Sequence, residues 1–121
     1  MPFRKLLKEL VESIPDAVGA VFADWEGEIV DFYSTEENSD HIKFIGAHHG
    51  ILLETAKKAS ASANLGEAIC ITVKSDKASY VTAPVHDGYY LVLAIKSAMH
   101  SARTNLEIAK TIEKLRHEMG Y

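Results

Sequence analysis

DHIKFIGAHHGILLETAKKASASA, residues 40–63, lies inside the longest proline-free run, 16–83, and the rest of the chain is arranged around it. Ser39 or Asp40 offers a side-chain oxygen to cap the free amides at its start. Ile42, Ile45, His49, Leu52, Ala56, Ala59 and Ala63 recur at steps of three and four, which draws one apolar stripe along a helix. Gly46 and Gly50 stand one turn apart inside it. Each glycine costs about 1 kcal/mol relative to alanine in a helix interior, so the pair implies that something approaches this helix closely. The stretch reads as a contact surface rather than a reaction site.

Outward from this helix, the chain divides into short, well-punctuated elements. Phe3, Leu6, Leu7, Leu10, Val11 and Ile14 form the apolar face of an opening helix, and Pro15 ends it by forcing the preceding residue out of helical geometry. Residues 17–23 (AVGAVFA) are apolar on both faces, as a strand covered on both sides must be. Asp24-Trp25-Glu26-Gly27 is a turn, and residues 28–33 return as a more polar strand. After the long helix, Asn64-Leu65-Gly66 supplies a stop, and residues 67–74 (EAICITVK) alternate as a strand. Residues 79–85 form the next strand, with Pro84 expected near its end or at a bulge. Asp87-Gly88 is a hairpin signal, and residues 89–95 (YYLVLAI) are again apolar throughout. A last helix spans residues 101–119, with Leu106, Ala109, Ile112 and Met119 as its core line.

The element order is therefore α-β-β-α-β-β-β-α within one domain, residues 1–121. Short turns make the hairpins antiparallel. The two most apolar strands belong in the middle and the two more polar ones at the edges, which gives the order 2-1-5-4-3. Central strands apolar on both faces need helices on both sides. The expected architecture is a three-layer α/β/α domain with the long helix alone on one face.

Composition narrows the function. A net charge of −4 lacks the basic stripe that nucleic acid demands. No apolar run approaches the ~20 residues of a membrane span, and residues 1–14 lack the form of a signal peptide. The single cysteine, Cys70, fits a reducing compartment, and a cytoplasmic location is expected. His48 and His49 point about 100° apart on a helix, while His41 and His48 lie roughly 10 Å apart along its axis. Neither pair has the i, i+4 spacing of a helical metal site, so no metal or cofactor is expected. No nucleophile elbow, phosphate loop or dinucleotide fingerprint occurs, and the chain is not expected to be an enzyme.

The remaining oddity is the edge strand. Residues 67–74 are regular and β-branched, without proline or an inward charge, the kind of margin that proteins protect. Pairing with a second copy across a two-fold axis would protect it. Ile71 would then face its mate, with Ile69 opposite Val73; a register with Cys70 facing Cys70 is the alternative, and Thr72 lies within either ladder. The same axis would set the two long helices side by side, with Gly46 and Gly50 serving their close packing.

These elements, taken as an ordered set, resemble the Roadblock/LC7 domain family over essentially the whole chain. The residues that carry the resemblance are Ile14-Pro15, the apolar strand at 17–23, the Asp24 to Gly27 turn with Ile29, and the long helix. The Ile69-Cys-Ile-Thr-Val strand, Pro84-Val85 with Asp87-Gly88, the strand at 89–95 and the closing helix complete it. One departure is Met99-His100-Ser101-Ala102-Arg103, where relatives often approach the Arg through Asn and Gly. The resemblance implies a profilin-like three-layer fold and a homodimer whose sheet continues across both copies. It also implies a platform of paired middle helices that binds small Ras-like GTPases, as a regulator, GTPase-activating partner or scaffold, without a catalytic residue of its own. Lys43, His48, His49, Glu54 and Lys57 are the expected platform residues. A small-molecule sensor using the space between sheet and helix is the alternative.

Overall fold

The computed structural model describes residues 2–36, 40–96 and 102–121. The elements are α1 (Pro2–Ser13), β1 (Ala17–Ala23), β2 (Ile29–Ser34), α2 (Asp40–Ser62), β3 (Ile71–Lys74), β4 (Ser79–His86), β5 (Tyr89–Ile95) and α3 (Ala102–Glu118). Their order is the expected one. The sheet runs β2-β1-β5-β4-β3 with every neighbouring pair antiparallel, as the polarity of the strands requires. Ser39 and residues 99–101 before Arg103 lie outside the described residues.

The local signals act as their chemistry dictates. Asp87 and Gly88 both take positive φ, 54° and 85°, which is the twist that a two-residue hairpin needs. Asp24 Oδ1 accepts from the backbone N–H of Glu26 and of Glu28, pinning the β1–β2 turn. Asn64, at φ 56°, ends α2: the Leu65 N–H returns to the Ser60 carbonyl and the Asn64 N–H to that of Ala61. This pattern satisfies the carbonyls that a helix terminus leaves open. Pro84 stands at a register shift between Pro84 and His86, where a missing donor does least harm.

Alternation along the central strands divides the core into two layers. Ala20, Phe22, Val81, Ala83, Leu91, Leu93 and Ile95 face α1 and α3, where Leu7, Leu10, Ile108 and Leu115 meet them. Val21, Ala23, Tyr90, Val92 and Ala94 face α2 alone, against Ile42 and Leu53. The three layers are thus α1 and α3, the sheet, and α2.

Three expectations need correction. The strand expected over residues 67–74 is half as long: only Ile71–Lys74 joins the sheet, and Cys70, expected within the edge strand, stands outside it and is exposed. The register that pairs Ile71 with Thr82 would place Ile69 against Pro84, which has no N–H to give. In α3 the buried line is Thr104, Ile108, Thr111 and Leu115, and Leu106 is 55% exposed. Two threonines in the core line hid it from a reading based on apolar residues; the Thr111 hydroxyl is satisfied by donating to the Glu107 carbonyl. In α2 the buried line is Ile42, Gly46, His49 and Leu53, and Leu52, Ala59 and Ala63 are exposed.

Candidate functional site

The glycines of α2 serve the chain's own sheet. A Cβ on Gly46 would come within 2.6 Å of Val21 Cγ1, and one on Gly50 within 2.6 Å of the Tyr90 ring. The close approach inferred from the sequence is real, but its partner is β1 and β5 rather than a second helix. The Tyr90 hydroxyl donates to the Gly46 carbonyl at 2.8 Å, which ties helix and sheet together where they are closest. Burial pushes the Tyr90 phenol pKa up, with the charge of Asp24 acting in the same direction. This contact fills the middle of the layer where a sensor pocket would sit. Clefts of about 340 and 150 Å³ lie instead toward the two ends of α2.

The two adjacent histidines part as the 100° step requires. His49, placed by the sequence both in the apolar stripe and on the platform, is buried as the stripe requires and not on the platform: its Nδ1 is 3.0 Å from Thr82 Oγ1 and its ring meets Tyr80 edge-on. Burial, helped by His48, lowers its pKa. His48 is exposed, stacked on Phe44 with ring centroids 4.1 Å apart, and its Nδ1 lies 2.9 Å from the Phe44 carbonyl. Of the other residues expected on the platform, Lys43 is half-buried with its ammonium 4.6 Å from the Phe32 ring centroid. Lys57 and Glu54 pair with each other at 3.6 Å, a weak exposed pair of the i, i+3 kind.

What the outer face of α2 mainly presents is apolar. Phe44 is 61% exposed and Ile51 67%, with Leu52 beside them and His48 between. These positions recur at steps of four and three, opposite the buried line through Ile42, Gly46, His49 and Leu53. The helix is therefore apolar on both sides, and sequence reasoning assigned only one of them. The missed signal was the Phe44–Ile51 spacing of seven within a helix that already had a core face. Trp25, 59% exposed on the β1–β2 turn, extends this surface. Its ring meets Tyr89 edge-on at 5.6 Å, and a cleft of about 270 Å³ separates it from Ile51, Glu54 and Lys58. Exposed apolar groups gathered in this way make this face the candidate docking surface.

The two margins of the sheet differ. On β2, Asp31 points inward and is buried; its Oδ1 accepts from Arg4 Nε at 3.2 Å and from the Phe32 N–H. Arg4 and Lys43 both lie over the Phe32 ring. An inward charge and flanking cations are devices that block edge-to-edge pairing. β3 offers Ile71, Thr72 and Val73, all half-buried, with only Lys74 charged. One margin is guarded and the other open.

Among the described residues, no helix is long and apolar enough to cross a membrane, and no cluster of three or more His, Cys, Asp or Glu is arranged to hold a metal ion. No protein-family model matches the sequence, and no curated protein matches it. Solved structures do match in fold. The Roadblock/LC7 domain from Streptomyces avermitilis is 17% identical with a TM-score of 0.86, covering 97% of this chain and 97% of that one. Myxococcus xanthus MglB is 14% identical with a TM-score of 0.82, covering 98% and 94%. An MglB structure with a tetrameric arrangement is 11% identical with a TM-score of 0.80, covering 92% and 82%. The chain has the Roadblock/LC7 fold, as the sequence resemblance implied.

Proposed function

We propose that this chain is a cytoplasmic, non-catalytic regulator or scaffold that forms a homodimer and binds a small Ras-like GTPase. The observation that carries this reading is the apolar outer face of α2, where Phe44, His48, Ile51 and Leu52 lie beside Trp25. A helix already seated on its own sheet through Gly46 and Gly50 has no structural need for a second apolar side. An exposed ridge on a rigid support is suited to a protein partner, with aromatic anchors at its centre. The fold likeness to MglB supports self-association, since one of those structures has a tetrameric arrangement. The contrast between the margins supports pairing along β3: Ile71, Thr72 and Val73 are free of the charges that guard β2. Ile69 and Cys70 lie just before it. A regulator of this kind would act by holding the switch loops of its GTPase in one arrangement, a matter of geometry that needs no catalytic side chain of its own.

The test uses a panel of purified Ras-like GTPases, each loaded with GTP or GDP, and the double variant Phe44→Glu/Ile51→Glu. The wild-type chain is expected to sediment as a dimer and to prefer one nucleotide state of its partner. The double variant is expected to lose at least about tenfold in affinity, a loss of about 1.4 kcal/mol, with an unchanged melting temperature because both side chains are exposed. Equal binding by the variant, or no binding by the wild type anywhere in the panel, would end this reading.

A further inference from the structure

Residues 67–70 are written as a strand but do not form one. Their sequence continues the alternation of Ile71–Lys74, yet they stand outside the ladder, with Ile69 80% exposed and Leu65 and Cys70 also in solvent. The chain's own sheet offers them little. Continuing the β3–β4 register sets Cys70 against Ala83 and Ile69 against Pro84, which lacks an N–H; beyond Pro84 the register of β4 shifts. Pro84 thus withholds a ladder donor on the inner side, while the groups of this segment that face outward are open to a partner strand.

The segment itself walls the space beside Pro84, and Ile69 and Cys70 now border a second cleft of about 300 Å³ on the α3 side, against Val81, Ala83 and Ile108. A cleft of about 340 Å³ lies between Lys57 and Ala61 of α2, Pro84 of β4, and Gly66 to Ala68. In an extended strand Ile69 takes the same face as Ile71, the face toward α2. Opposite Pro84, that face leads into this cleft.

We infer that residues 67–70 are the unfinished half of β3, and that they join the sheet only when a second copy pairs along this edge, carrying Ile69 from solvent into the cleft beside Pro84. The inference rests on the self-pairing proposed above and adds a coupled folding step to it. Antiparallel pairing about a two-fold axis at Ile71 sets residues 67–70 of one copy against residues 72–75 of the other. Each copy's ordered half then supplies donors and acceptors to the other's unordered half. A register centred on Cys70 sets residues 67–69 against 71–73 and leaves Cys70 opposite its own copy. Ordering is deferred to the moment of association, so the exposed edge of the free chain stays only four residues long, too short to template indiscriminate pairing.

Hydrogen–deuterium exchange of the wild-type chain across a dilution series, with sedimentation in parallel, tests this. Amides 68–70 are expected to exchange freely in the monomer and to slow at least about tenfold as the dimer fraction rises. Ile69→Ala is expected to leave monomer stability unchanged, because the side chain is in solvent there, and to raise the dimer dissociation constant about tenfold. A dimer whose amides 68–70 still exchange freely, or an Ile69→Ala chain that dimerises with unchanged affinity, overturns the coupled folding and leaves the self-pairing intact. A chain that sediments as a monomer at every concentration overturns the self-pairing, and the coupled folding with it.

Discussion

Gly46 and Gly50 face the sheet from successive turns of α2, and the atoms that use their space are Val21 and the Tyr90 ring. Alanine at position 46 would gain about 1 kcal/mol of helix propensity. Its methyl would also press on Val21, which is fully buried on a central strand and cannot retreat. Overpacking of this kind costs typically 1–3 kcal/mol, and α2 would also be levered off the Tyr90–Gly46 hydrogen bond. Gly46→Ala is therefore expected to destabilise the fold by about 1 kcal/mol net, read from the midpoint of urea unfolding. His49 sets a pH dependence of its own. Its pKa is lowered from the ordinary 6.5 by burial, so in acid the unfolded chain takes up a proton that the folded chain refuses. Stability should be constant above that value and fall as pH drops from 6.5 toward the lowered pKa. His49→Gln, which keeps a polar group near Thr82 and cannot titrate, should flatten the slope. An unaltered slope in unfolding curves between pH 7 and 5 would point to another group.

Elements differ in how openly the sequence declares them. β1 and β5 are legible because a run such as AVGAVFA or YYLVLAI has only one stable environment, the middle of a covered sheet. β3 was only half legible, since alternation states what a strand would bury and says nothing about whether a neighbour can supply its hydrogen bonds. Pro84, remote in sequence and adjacent in space, decides that. The core line of α3 was missed for a related reason: Thr104 and Thr111 are polar by type, yet they are buried. At the opposite margin, the guard on β2 depends on Arg4, which supplies a cation to the buried Asp31 carboxylate. Arg4→Met should leave that carboxylate unpaired, and because the arginine is itself largely exposed, the cost is discounted to about 1–2 kcal/mol. The loss should appear as a lower melting temperature of the variant at pH 7. A variant that melts at the wild-type temperature would show that the pair is incidental.

The whole molecule is three layers in which the solitary helix is the one with an apolar face on each side. α1 and α3 cover their side of the sheet together and support each other. Among the described residues α2 stands alone on its side, and its outer ridge from Phe44 through Ile51 to Leu52 is exposed. This is why a docking surface is sought there, and why Phe44→Glu/Ile51→Glu is expected to spare the fold while weakening association. By itself the sequence determined the kind and order of the elements, the antiparallel sheet, its strand order and the three layers. Those follow from local periodicity and turn chemistry, which act between near neighbours. Only the tertiary structure decided which line of α2 meets the sheet, which of the two places given to His49 it takes, and where β3 begins. These outcomes depend on contacts between residues far apart in the chain: Gly46 with Val21, His49 with Thr82, and the missing donor of Pro84 on the line of Ile69.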